Sequence, residues 1–258
     1  MVTITTELIK ELRDSTGISV MQCKRALEEA EGDMDKAIAI LKKTSSDIAL
    51  KKADRTAADG AVAVKTEGDK TVLVTLHCET DFVSRNDDFV NLLDQLTDLA
   101  LKEGMVKMQE NSKALIDPII QKTGENIQLG EVYEVSGNTI GNYVHNNKAA
   151  IVVSLEGGDA DLAKNIAMHI AAMKPEYINR DEIDSTVRQT MTEIFEKEVV
   201  EIDKPEDIKK KMLEGKINTY FKEKTLLDQS FIKNGDITIE QLLNTANAKI
   251  KEVKRSTI

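Results

Sequence analysis

The sequence has no tryptophan and only five phenylalanines and four tyrosines in 258 residues. Aromatic platforms on which the bases of a single-stranded nucleic acid would stack are therefore scarce. Its two cysteines, Cys23 and Cys78, stand far apart without a C-x-x-C, which argues against a disulfide framework or a zinc knuckle. We expect both to be reduced structural thiols. The three histidines, His77, His145 and His169, include no pair at the spacing that seats a metal on one helix face. No metal and no cofactor are expected. No apolar run approaches the roughly 20 residues needed to cross a bilayer. The first seven residues lack the basic start and apolar stretch of a signal peptide, so a cytoplasmic protein without membrane contact is expected. Positive charge is short too: 35 Lys and Arg face 45 Asp and Glu, a net charge of −10. Affinity for duplexes comes from neutralising phosphates, so direct nucleic-acid binding is disfavoured. Gly68-Asp69-Lys70-Thr71 resembles the tail of a phosphate-binding loop, but it lacks the earlier glycine and falls between two strand patterns. No G-x-S-x-G occurs either. The balance favours a protein that works by contact, not by covalent chemistry.

What is present reads as an α+β chain of two compact units and an appendage. Leu8, Ile9 and Leu12 form a stripe ended by Thr16-Gly17, where glycine suits the left-handed position after a helix. Ser19 and Gln22 fit a reciprocal capping box before Cys23, Leu27 and Ala30. Gly32-Asp33 then stops that helix and caps a third, with Ala37, Ile38 and Leu41. These three helices make a thin core better suited to docking than to catalysis. Residues 45–59, with Lys51, Lys52 and Arg55, read as a partly helical, solvated linker.

From Gly60 the apolar period becomes two: Val62 and Val64, a turn at Gly68-Asp69, then Val72, Val74 and Leu76. A helical stripe follows at Phe89, Leu92, Leu93, Leu96 and Leu99. The second half repeats the order, with Tyr143, a turn at Asn146-Asn147-Lys148, then Ile151, Val153 and Leu155, a break at Gly157-Gly158, and a helix through Leu162, Ile166, Ile170 and Met173. Hairpin plus helix, twice, reads as a duplicated core. Residues 180–224 carry a narrow stripe of Ile183, Val187, Met191 and Ile194, then Pro205 in a first helical turn, then Ile208, Met212 and Tyr220. That pattern predicts a protruding antiparallel helical hairpin. Asn234-Gly235 marks a tight turn, and Thr238 and Gln241 cap a last helix with Leu242 and Leu243.

One connection is physically odd. Between the strand ending at Cys78 and the helix at Phe89, Phe82 stands among polar and charged neighbours: Glu79-Thr80-Asp81-Phe82-Val83-Ser84-Arg85. Either it is a core residue pinning the connection, or it is an exposed aromatic anchor of the type enriched at binding hot spots.

Five stretches, in order, then carry a family likeness: Leu12-Arg13 with Thr16-Gly17 through Met21 to Leu27; Lys51 to Gly60; Glu79 to Val83; Gly124-Glu125-Asn126-Ile127; and Ile166 to Ala172 running on to Lys174-Pro175. The chain resembles the bacterial elongation factor Ts family, guanine-nucleotide exchange factors of elongation factor Tu. The resemblance implies a ubiquitin-associated-like three-helix domain over 1–52. It further implies a core N-lobe over 53–140, a C-lobe over 141–179 and 225–258, and a coiled-coil hairpin over 180–224. As partner it implies elongation factor Tu, in its GDP-bound and nucleotide-free states. By the same likeness, Thr80, Asp81, Phe82 and Val83 enter the partner beside its magnesium site, and His145 assists. Arg13, Val20 and Met21 grip the partner's nucleotide domain. Departures from the family pattern fall at Val20, at Gly130-Glu131, at Asn146-Asn147-Lys148 and at the C-terminus, which stops short of the family's usual final helix. Those departures keep an alternative in view, a non-catalytic GTPase-binding chaperone or interaction module.

Overall fold

The computed structural model describes residues 4–258 as α+β, in two compact units. The first takes in the chain through Ser136, together with Val144–Ala150 and Lys254–Ile258. It opens with α1 (Thr6–Thr16), α2 (Val20–Glu29) and α3 (Met34–Lys52). Thr5, Ser19 and Asp33 cap them, each side chain taking the backbone N–H three residues on. At Ser19 the expected reciprocal box is not formed: the amide oxygen of Gln22 is engaged by the Ser19 hydroxyl itself, at 2.7 Å. Leu12, Cys23, Leu27, Ala37 and Leu41 fill the space between the three helices. The expected linker over 45–59 is largely something else. α3 runs unbroken to Lys52, Ala49 joins the core of the following sheet, and Ser46 Oγ donates to Asp117 at 2.6 Å.

That sheet is antiparallel, β1 (Asp59–Glu67), β2 (Lys70–Cys78) and β3 (Gln128–Ser136), with β2 in the middle. Gly68 and Asp69 make the hairpin turn, as expected, between Glu67 and its register partner Lys70. A single helical turn, α4 (Asp81–Ser84), leads into α5 (Asp87–Glu103) and α6 (Met105–Thr123). Val72, Val74 and Leu76 of β2 pack with Phe89, Leu92 and Leu96 of α5 and with Met108, Ile116 and Ile120 of α6. Burying each such side chain contributes about 1.5–3 kcal/mol.

The second unit carries most of a sheet ordered β4 (Thr139–His145), β5 (Ala149–Glu156) and β8 (Lys249–Thr257). Each sheet therefore has a middle strand that is the second of a hairpin and is followed by helix, with its third strand supplied later in the chain. The repeat expected from the sequence extends by one strand. α7 (Ala160–Met173) covers the β5 side of the core through Ile166, Ala167 and Ile170. α8 (Ser185–Val200) and α9 (Glu206–Lys224) run antiparallel. Lys209 meets the Val200 carbonyl at one end, Phe195 packs edge-on to Tyr220, and Arg188 lies over the Phe221 ring at the other. Val199 and Phe221 are the buried members of this pair, whereas Ile194 and Ile208 of the expected stripe are exposed. Pro205 stands one place earlier than expected, as the residue before α9. Asn234-Gly235 is not a turn: β6 (Ser230–Phe231) turns at Ile232-Lys233 into β7 (Asn234–Thr238). Thr238 and Gln241 form the full capping box of α10 (Ile239–Thr245).

His169 ties this unit together from inside. Its Nδ1 accepts the Ile232 N–H at 3.3 Å, and its Nε2 lies 2.9 Å from Gln229 Oε1. Since Nδ1 must accept, Nε2 carries the proton and the ring is neutral. Burial holds the imidazole below its ordinary 6.5, against the opposing bond to Gln229. Between the folded and unfolded values the unfolded chain binds the extra proton, so stability falls as pH drops below 6.5. We expect the thermal midpoint of the wild type to fall between pH 7.5 and 5.5 more steeply than that of His169→Gln. Parallel curves for the two proteins would contradict this account.

Candidate functional site

A helical turn of four residues has no stability of its own, and the Thr80 hydroxyl does not cap α4. The turn is held instead by a carboxylate far along the chain. Glu125 Oε2 accepts the backbone N–H of Glu79 at 3.1 Å and of Thr80 at 3.0 Å, and Oε1 accepts the Thr80 hydroxyl at 2.6 Å. Glu79 reciprocates: Oε1 accepts the Asn126 N–H at 2.6 Å, and Oε2 pairs with Arg55 at 2.6 Å. The buried amide of Asn126 donates to the carbonyls of Ala53 and Arg55. Lys52 Nζ donates to the Gly124 carbonyl at 2.6 Å. Lys52 and Arg55, expected on a solvated tether, are thus structural donors. Three of the stretches singled out in the sequence converge on one laced structure.

The lacing presents adjacent residues oppositely. Phe82 is 84% exposed, the most exposed large apolar side chain among the described residues, whereas Val83 is 9% exposed and belongs to the core. Of the two readings of Phe82, the core one is excluded. Val83, grouped with Phe82 in the sequence reading, lies in the core cluster that includes Phe89 and Leu92, and it anchors the turn. Thr80 is exposed at the rim with its hydroxyl committed to Glu125. Asp81 is half-exposed and pairs with Arg85 at 3.3 Å, an exposed ion pair that is easily exchanged for another.

The far end of α4 is tied as well. Lys148 Nζ donates to Asp59 Oδ1 and to the Gly60 carbonyl, both at 2.6 Å, and lies 3.4 Å from Ser84 Oγ. Burial pushes the Asp59 carboxyl up, but its bonds to Lys148, Ser84 and the Gly60 N–H outweigh this and hold it below 3.8. Gly60 is required here, because at φ 153° a Cβ would stand 2.2 Å from the Leu76 carbonyl oxygen. Asn146 and Asn147 turn the chain with φ of 50° and 54°, and the Asn147 carbonyl takes the Val62 N–H at 2.9 Å. His145, exposed at the end of β4, immediately precedes this turn. Lys148 therefore ties the His145 turn to the Phe82 turn.

Arg13, Val20 and Met21 form a separate set on the α1–α2 surface, outside this lacing. All three are exposed, and Val20 and Met21 begin α2. Both cysteines are free and buried. Burial, with the Asp59 and Glu125 carboxylates adding to it, pushes the Cys78 thiol up to about 12, so at neutral pH it is no nucleophile. Among the described residues no group of three His, Cys, Asp or Glu side chains is placed to hold a metal, and no helix is long and apolar enough to cross a membrane. Glu125 and Lys148 went unassigned in the sequence. Glu125 lies within a stretch that carries the family likeness, whereas Lys148 stands there only as part of a departure from the family pattern.

Residues 79–258 match the family model described as elongation factor TS. The protein named elongation factor Ts from Hahella chejuensis is 39% identical over 262 residues, covering 99% of this chain and 92% of that relative. Those of Alcanivorax borkumensis and Pseudomonas putida KT2440 are 38% and 37% identical, each over 97% of this chain and over 93% and 89% of the relative.

The opposite burial of neighbours 82 and 83 gives a direct test in thermal unfolding. Val83→Ala should cost about 1.5–3 kcal/mol, as loss of a buried aliphatic side chain does. Phe82→Ala should change stability by less than about 0.5 kcal/mol, in line with other surface substitutions. A large loss in Phe82→Ala would return that ring to the core.

Proposed function

The chain belongs to the elongation factor Ts family of guanine-nucleotide exchange factors for elongation factor Tu, and from this premise we propose that Phe82 is the wedge that drives exchange. The observation that carries the reading is the 84% exposure of Phe82 on a turn whose two ends are fixed. The partner's magnesium ion and phosphate-loop amides hold GDP, and displacing either by about an ångström weakens both. Each tenfold gain in release needs about 1.4 kcal/mol off the barrier, within the reach of one well-packed aromatic side chain. Asp81, whose exposed pair with Arg85 is readily given up, assists from the rim, and so does His145 across the Lys148 tie. GDP leaves by dissociation, with no bond made or broken in the exchange factor. The partner is bound both with GDP and without nucleotide.

Arg13, Val20 and Met21 supply affinity by gripping the nucleotide domain. Helices α1–α3 are the counterpart of the family's ubiquitin-associated-like domain. The antiparallel pair α8–α9 is the counterpart of its coiled-coil hairpin, a reading supported by the Phe195–Tyr220 and Arg188–Phe221 contacts along its length.

Release of labelled GDP from elongation factor Tu, followed with and without this protein, tests the proposal. Phe82→Ala should slow stimulated release by roughly tenfold or more, the loss of about 1.4 kcal/mol or more of barrier lowering, with an unchanged unfolding midpoint. Asp81→Ala and His145→Ala should show smaller losses. Met21→Ala should weaken binding more than it slows release at saturation. A Phe82→Ala protein that exchanges normally would refute the wedge, and a wild type that binds without accelerating release would be a non-catalytic module.

A further inference from the structure

Resting on the wedge reading, we infer that Glu125 is a positioning residue for exchange: its carboxylate sets the direction of Phe82 by holding the residues that enter α4. The geometry is specific. One carboxylate takes both consecutive backbone N–H groups, of Glu79 and Thr80, on Oε2, and the Thr80 hydroxyl on Oε1. Glu79 and Thr80 are the last residues before the turn that carries Phe82, and Thr80 sits in extended backbone (φ −130°, ψ 157°) at the N-cap. A rotation of that residue swings Phe82, whose own side chain is 84% exposed.

Both oxygens of Glu125 are engaged by the residues that enter the turn. It is itself fixed by what flanks it. Gly124 accepts from Lys52, and Asn126 is bonded to the Glu79 carboxylate and to the carbonyls of Ala53 and Arg55. Glu125 therefore acts on exchange through the turn it holds, chiefly by way of Phe82.

That dependence makes the role separable from plain stability. Glu125→Ala should slow stimulated GDP release by roughly five- to tenfold, from the lost charge-assisted bonds and the freed turn. Glu125→Gln, which keeps one oxygen to accept the two backbone N–H groups, should restore most of the rate. The deciding measurement is a double-mutant cycle. Phe82→Ala combined with Glu125→Ala should be only slightly slower than Phe82→Ala alone, since the wedge is gone and only the smaller contribution of Asp81 is left to aim. Where Glu125→Ala does not fold, Thr80→Val, which removes only the hydroxyl bond, carries the same cycle. Independent, multiplying losses would overturn the inference, as would normal release by a folded Glu125→Ala or Thr80→Val protein, or a Glu125→Gln protein as slow as Glu125→Ala. Normal release by Phe82→Ala itself would overturn the wedge reading, and this inference with it.

Discussion

The exchange of carboxylates between Glu79 and Glu125 is the constraint on which the first unit's functional surface depends. Each reaches across to the other's strand of chain and accepts backbone N–H groups there. Two acidic side chains brought this close would repel if left unpaired. Here one is offset by Arg55 at 2.6 Å, and each oxygen of both accepts a donor. Bonds to a charged acceptor contribute about 1.5–3 kcal/mol each, roughly twice a neutral pair. That is enough to order a four-residue helical turn that local propensity would leave unformed. The third partner, the segment from Lys52 to Gly60, closes the lacing from behind, which is why a run of basic residues that reads as a tether is fixed in place.

A fixed turn matters because the ring it carries is bare. An exposed phenylalanine on a loose loop would lose conformational freedom on docking, at roughly 0.5–1.5 kcal/mol for each side chain ordered. Holding the backbone at Glu125 before the turn, with the Ser84 side chain at its end 3.4 Å from Lys148, lowers the backbone part of that cost in advance. The burial of Val83 completes the arrangement: one side of the turn is sunk in the core, so the other side must face outward. Exposure of Phe82 is thus a consequence of anchoring its neighbours, not of local disorder.

Much of this was legible in the sequence, and the limits have physical causes. Hairpins with a clean period of two and a short polar turn were readable at Gly68-Asp69 and at Asn146-Asn147, as were α5 and α7 with their wide apolar stripes. β3 and β8 were not. Both lie at the end of their sheet order, where half-buried positions blur the alternation, and β3 also meets a register shift between Val74 and Leu76. α6 was hidden by Pro118, which breaks most helices but here lies in a segment pinned by Asp117 to Ser46 and packed on α5. Of the site, the aromatic in a polar connection was visible as an anomaly. Its burial was not, since strand-to-helix connections carry no periodicity. The bonds that settle it join residues 45 or more positions apart, and a carboxylate bonded to backbone leaves no pattern in the sequence.

The turn that follows His145 obeys the same physics. A tight turn with two residues at positive φ demands glycine or asparagine, and Asn146 and Asn147 meet that demand without glycine's extra entropy cost. The cation then comes from Lys148. As a compact ammonium it reaches Asp59, the Gly60 carbonyl and Ser84 from a single nitrogen. Asp59 is held ionised by these bonds, so the tie persists through the whole neutral range. At Gly60 β1 approaches the Leu76 carbonyl more closely than any side chain would allow. A residue larger than glycine at position 60 would push on the Leu76 carbonyl and disturb the carbonyl that Lys148 holds.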